Sequence, residues 1–212
     1  MDRLAETEEN GRIVLGLLNS VENDGARSQR SIAAELGIAL GLVNAYLKRC
    51  VKKGLVKVHD APARRYAYYL TPLGFAEKSR LTVQYLSASF SFFRQAKADC
   101  TAAFEAAKAA GFTRLLLAGQ SDLAEIAILC ALEAGVSILA IVDPRSTTAT
   151  FAGVTVVQSF ADVSAPSDAI VITDVSRPVQ TLEAARAFAG CDRVFAPALL
   201  KLRPIQPEEA KQ

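Results

Sequence analysis

The chain of 212 residues has one histidine, His59, and four cysteines, Cys50, Cys100, Cys130 and Cys191, none of them in a CxxC pair. From that spacing no zinc site is expected, and isolated thiols suit a reducing compartment, where each is expected to be a buried structural residue. The opening MDRLAETEENGR is acidic and polar rather than apolar, so no secretory signal is expected in it. Hydrophobic runs are too short or too interrupted to span a bilayer, so no membrane partner and a cytoplasmic location are expected. Glycine is scarce where a dinucleotide fold would want it: the turn after RLLLA, Gly119-Gln120-Ser121-Asp122-Leu123-Ala124, holds one. From Gly74 to Gly111 there is no intervening glycine or proline, which predicts nearly continuous helix.

What is present is asymmetric. Between Gly25 and Arg80 eleven bases face three acids, an excess of +8, whereas Phe112 to Leu200 holds five bases and nine acids, or −4. Such polarity points to one part facing a polyanion and another that does not.

Apolar periodicity gives a first helix over about Asn10 to Glu22. Ser28 is a candidate N-cap for a second helix, SQRSIAAEL, which Gly37 ends. A third runs from about Leu40 to Lys53, with Val43, Leu47 and Cys50 or Val51 inward. LVKVHD and YAYYLT read as a hairpin whose tip carries Arg64 and Arg65, and Pro72 opens a further helix. This order is the winged helix-turn-helix plan, in which the third helix enters a major groove and the wing rides on phosphates. Lys48, Arg49, Lys52 and Lys53 on that helix, with Arg64 and Arg65, are the expected phosphate contacts on double-stranded DNA.

SQRSIAAELGIALGLVNAYLKRCVKKGLVKV followed by YAYYLTPLGFAEKSRLTVQYL resembles the MarR-type winged-helix regulators found with bacterial polysaccharide-biosynthesis genes. The resemblance spans roughly Ile13 to Phe93 and implies DNA binding as a homodimer. Members usually carry a polar residue at the position of Ala39 and often lysine at that of Leu42, so Asn44 is left as the obvious base reader, an asparagine able to pair bidentately with adenine. Ser28, Gln29 and Arg30 are expected to hold a phosphate at a helix N-terminus, the alternative being a simple cap. Phe90, Phe92 and Phe93 on the connecting helix are expected to pack against other helices, partly between protomers.

After Gly111 the period changes. LLLAG, SILAIVD, VTVV, AIVIT and RVFAP alternate with helical patterns at Asp122–Ala134 and Val179–Ala189, which predicts a small Rossmann-like parallel sheet of five strands covered on both faces. Its first turn reads G-x-S-x-x-A. Gly119 supplies the tight turn, but the Ser121 side chain crowds the place of a pyrophosphate and Asp122 would repel one. Asp143 stands where a ribose-binding acid belongs, and also where a turn opens before proline.

In plan the whole is similar to redox-sensing repressors that read NADH. That likeness would assign Gly119 to Ala124 to the glycine turn, Asp143 to the ribose, and Ile172-Thr173 to the strand end facing nicotinamide. The segment also resembles the nucleotide-binding half-domain of sugar acyltransferases from polysaccharide clusters. The cofactor implied is NAD(H) or another nucleotide, bound through Gly119, Ser121, Asp143, Thr173 and Arg177; a scaffold requiring no cofactor is the alternative.

The expected organisation is therefore α/β overall: a winged helix-turn-helix over 1–70, a connecting and dimerisation helix over 71–111, and a Rossmann-like domain over 112–212. The expected function is a DNA-binding transcriptional regulator, not an enzyme, whose second domain senses a small-molecule effector or mediates dimerisation. Two alternatives stand beside it: a nucleotide- or nucleotide-sugar-dependent enzyme with an accessory winged helix, and a winged-helix protein-interaction module.

Overall fold

A computed structural model describes residues 2–61 and 65–202, with the side chains of 2–9, 60, 61 and 65 outside the description. The chain divides into two compact units, Met1–Phe90 and Ser91–Gln212.

In the first unit, α1 (Asp2–Asn23) begins eight residues before the expected start, because its polar opening carries no apolar period to announce a helix. Helix α2 (Gln29–Leu36) is capped by Ser28, whose Oγ accepts the amide of Ser31 at 3.1 Å. It ends at Gly37, whose φ of +64° closes the last turn in the left-handed conformation that glycine adopts without penalty. Helix α3 (Leu40–Lys52) follows after a 109° bend, within the range of helix-turn-helix pairs.

Strands β1 (Val56–Ala61) and β2 (Arg65–Leu70) form the antiparallel wing, with Val58 opposite Tyr68 and Lys57 opposite Tyr69. Leu17, Leu18 and Val21 of α1, Ile32 of α2, Val43 and Leu47 of α3, and Val56 and Tyr68 of the wing close one core. Of the two inward candidates on α3, Cys50 is buried and Val51 exposed. Helix α4 (Pro72–Ala109) begins at Pro72, where Thr71 Oγ1 accepts the amide of Gly74 at 3.0 Å.

The second unit is built on a six-stranded sheet in the order β5-β6-β4-β3-β7-β8. Its strands are β3 (Arg114–Ala118), β4 (Ser137–Val142), β5 (Thr150–Phe151), β6 (Val154–Val157), β7 (Ala169–Ile172) and β8 (Val194–Phe195). Helices α5 (Asp122–Ala134) and α6 (Pro178–Ala189) connect β3 to β4 and β7 to β8.

The five expected strands, β3, β4, β6, β7 and β8, all pair in parallel, and a sixth, β5, adds to the edge antiparallel to β6 and makes the sheet mixed. The extra strand has two residues, too few to show a period. Leu115, Leu117, Ile141 and Val171 pack with α5 and with Cys100 and Phe104 of α4 on one face. Leu116, Ile170 and Ile172 pack with Leu182 and Ala185 of α6 on the other. The sheet is covered on both sides, which is why its central strands are apolar throughout.

Three cysteines are buried as expected, and burial pushes the Cys100 thiol up to about 12; Cys191 is exposed, contrary to expectation. Its short 3-10 turn after α6 buries none of its residues. Among the described residues no single helix is long and apolar enough to cross a membrane.

Candidate nucleic-acid interface

Helix α3 divides cleanly by the 3.6-residue period. Val43, Tyr46, Leu47 and Cys50 are buried, and the opposite side is centred on Gly41, Ala45, Lys48 and Lys52, all exposed. The stripe has two parts with different physical properties. Its first part consists of the small residues Gly41 and Ala45, and a Cβ added at Gly41 would meet nothing within 4 Å. A duplex can therefore approach the backbone closely. Its last turns carry Lys48 and Lys52, flanked by Arg49, whose guanidinium lies 5.1 Å from the Tyr46 ring centroid.

Cations at a helix C-terminus also satisfy the helix dipole, but that effect is confined to the last turn and does not account for Lys48. Asn44 sits half-buried at the edge of the stripe, and among the described residues its amide has no hydrogen-bond partner. Ala39, at the N-cap of α3, provides no side-chain cap, and Leu40 and Leu42 are exposed. The leading end of this helix is apolar.

At the start of α2 the three expected phosphate contacts separate. Ser28 Oγ is taken by the cap. Gln29 Nε2 donates to the Tyr68 hydroxyl at 2.8 Å, which ties α2 to the wing. Arg30 is exposed and, among the described residues, its side chain has no hydrogen-bond partner.

Of the wing arginines, Arg64 lies outside the described residues, and Arg65 is placed only by its backbone at the start of β2. The described part of the wing adds residues that the sequence reading passed over. Lys57, His59 and Tyr69 fall on one exposed face of the hairpin by register. The His59 and Tyr69 rings meet edge to face at 5.4 Å. The signal available was the period-2 alternation of LVKVHD, in which Lys57 and His59 point away from the buried Val56.

The second cluster of predicted residues lies at the C-terminal ends of β3, β4 and β7. In a sheet of this order the chain reverses direction between β3 and β7, where ligands ordinarily bind. Here several of the protein's own groups bond to one another across the crevice. Gly119 has φ +105°, and a Cβ there would lie 2.5 Å from both the Cα and the backbone nitrogen of Asp174. Glycine is required here by the close approach of the segment that follows β7.

Ser121 Oγ accepts the amides of Leu123 and Ala124 as the N-cap of α5 and donates to the Thr173 carbonyl at 2.6 Å. Thr173, fully buried, donates its hydroxyl to the Gly119 carbonyl at 2.7 Å. The side chains of Ser121 and Thr173, expected to face a dinucleotide, are thus bonded within the protein.

Asp143 and Asp174 are each 4% exposed, and one residue the sequence reading missed joins them. Arg145 donates from its amide and Nε to Asp143 Oδ1 at 2.9 and 3.2 Å, and from Nη2 to Asp174 Oδ2 at 2.7 Å. Asp143 also accepts the Gln120 amide, while Asp174 accepts the amides of Ser176 and Arg177 and the Thr181 hydroxyl.

Burial alone would push both carboxyl groups up, but these hydrogen bonds and the Arg145 charge together hold them below the usual carboxylate range. Arg177 is exposed at the N-cap of α6. It lines, with Arg145, Asp174 and Thr181, a cleft of about 210 Å³, below the ~300–1,000 Å³ of small-molecule sites. Among the described residues no cluster of three or more His, Cys, Asp or Glu side chains is placed to hold a metal.

Compared with known proteins, residues 10–57 match the family model described as winged helix-turn-helix DNA-binding. No curated protein matches the chain. The matched segment runs from the end of the polar opening of α1 to the first two residues of β1. The first unit therefore contains a winged helix-turn-helix DNA-binding domain.

Proposed function

We propose that the chain is a cytoplasmic, dimeric transcriptional regulator that reads duplex DNA through α3. The observation that carries this is the composition of the α3 face: small residues at Gly41 and Ala45, lysines at Lys48 and Lys52, and no acid within the helix. The small residues let the helix sit deep in a major groove, and the lysines reach the flanking phosphates. Lys57 on the wing supplies a further phosphate contact. The motifs of the first unit favour a regulator of the MarR type, with polysaccharide-biosynthesis genes as its setting.

The α/β unit serves, on this reading, as a scaffold rather than a dinucleotide sensor or an enzyme. Its switch-point side chains Ser121, Thr173, Asp143, Arg145 and Asp174 bond within the unit, and residues 91–212 include no histidine to supply imidazole acid–base chemistry of their own. An effector, if it acts here, has to be small enough for the Arg145–Arg177 cleft.

Fluorescence anisotropy with duplex DNA over a range of salt concentrations tests the assignment. Binding that weakens linearly in log salt supports it, and an absence of duplex binding at low salt removes it.

A further inference from the structure

Between Leu81 and Ala96, both buried, thirteen consecutive residues of α4 are exposed around the whole helix. A helix bare on every side is expected to be polar, yet this stretch holds Val83, Tyr85, Leu86, Phe90, Phe92 and Phe93. Four of them are spaced 3-4-3. Val83, Leu86, Phe90 and Phe93 are 64%, 45%, 59% and 42% exposed, and together they form one narrow stripe of period 3.5. That period is the signature of a seam against another helix, since a face packed on a globular core widens beyond it. Tyr85 lies on the adjacent flank, where Arg12 approaches its ring at 6.0 Å.

We infer that this stripe is the seam of a homodimer, in which α4 pairs antiparallel with α4 of a second copy about a two-fold axis level with Ala88. The inference rests on the dimeric reading above and specifies its surface. Charge selects the occupant: from Leu81 to Phe93 there is no charged residue, so nothing repels a second copy and nothing recruits a charged partner.

Shape and charge also select the direction. Antiparallel pairing sets Val83 against Phe93 of the partner subunit and Leu86 against Phe90 of the partner subunit, a large ring facing a smaller aliphatic group in every layer. It also places Arg94 level with Thr82 of the partner subunit. Parallel pairing would stack phenylalanine on phenylalanine at one end, valine on valine at the other, and bring the two Arg94 side chains together. An isologous contact of this kind closes on itself.

The four seam side chains offer on the order of 400 Å² per chain, about 800 Å² for the pair. That is short of the ~1,200 Å² of a standard stable interface, so the two copies exchange with free chains rather than form an obligate dimer.

Sedimentation velocity on the full chain across the micromolar range tests this. The wild type is expected to show a concentration-dependent dimer, and Phe90→Lys is expected to raise the dissociation constant at least about tenfold by burying an unpaired charge. Because residue 86 faces residue 90 only in the antiparallel arrangement, mixing Phe90→Lys with Leu86→Glu is expected to restore a dimer that neither variant forms alone. Both positions are exposed in the single chain, and circular dichroism confirms that each variant is folded.

A wild type monomeric at every concentration, or a dimer unaffected by Phe90→Lys, overturns the seam. A mixture that stays monomeric overturns the antiparallel direction. A monomer that still binds DNA removes the seam alone, whereas an intact dimer without DNA binding removes the regulator reading alone.

Discussion

The side-chain amide of Gln29 donates to the hydroxyl of Tyr68 at 2.8 Å, joining the start of α2 to the second strand of the wing. Tyr68 is otherwise buried in the core shared by α1, α3 and β1. Among the described residues its hydroxyl is therefore the polar point at which α2 and the wing are tied. Tyr68→Phe keeps the ring and its packing but removes the tie. A stability loss of about 1 kcal/mol is expected by chemical denaturation, with DNA affinity falling because the wing loses its anchor. A variant with unchanged affinity would show that the wing is held by packing alone.

The small face of α3 gives a second prediction. Nothing in the protein touches the open side of Gly41, and Ala45 is exposed beside it. Ala45→Glu is therefore expected to leave thermal stability within about 0.5 kcal/mol of wild type. It should reduce duplex affinity by tenfold or more, since the carboxylate would stand against the groove. Were the variant to bind DNA normally, this face could not be the one presented to it.

At the sheet edge, Gly119→Ala is expected to cost at least about 2–3 kcal/mol, because φ is +105° and the added Cβ meets the backbone of Asp174. Differential scanning calorimetry would register this as a lower Tm. If the glycine served a nucleotide instead, the folded state would tolerate alanine and ligand binding alone would suffer. In the same vein, thermal-shift measurements with NAD, NADH, coenzyme A and nucleotide sugars at millimolar concentration are expected to show no stabilisation. A clear shift with any of them would return the unit to a sensing role.

Acid stability follows from the paired carboxylates. Asp143 and Asp174 have folded-state values below the ordinary one, so their contribution is complete above the unfolded pKa of about 3.9 and disappears as pH falls through the lower folded values. Arg145→Met removes one cause of the lowering and leaves two buried acids without their shared cation. The acid-unfolding midpoint should move to higher pH, and stability near neutrality should fall by about 1–2 kcal/mol, a figure kept small because the guanidinium is partly exposed. An identical acid transition in wild type and variant would show that the backbone amides alone hold the carboxylates.

Much of the architecture was legible because it is written locally. Ser28 as a cap, Gly37 as a stop, Pro72 as an opening residue and the run Asp122–Ala134 each rest on contacts within one turn of chain. Strand β5 was not legible, since two residues carry no alternation and its existence depends on β6 folding back on it. Nor was Arg145. Its two acids are 31 residues apart in sequence and meet only because β4 and β7 flank β3 in the sheet. Ser121 was read as an obstacle to a phosphate, and the structure gives it a positive task as the cap of α5 and a bond to Thr173. For the exposed aromatics of α4 the sequence suggested helix packing, partly between protomers, and within the single chain they stand uncovered.

The salt dependence of duplex binding, compared between the wild type and the Lys48→Ala/Lys52→Ala variant, tests the central claim most directly. The account predicts that affinity falls steeply with salt for the wild type. It also predicts that the slope of log K against log salt becomes shallower by about 2 in the double variant, one unit for each lost phosphate contact. An affinity and slope equal to those of the wild type would contradict the assignment of α3 as the DNA-reading helix.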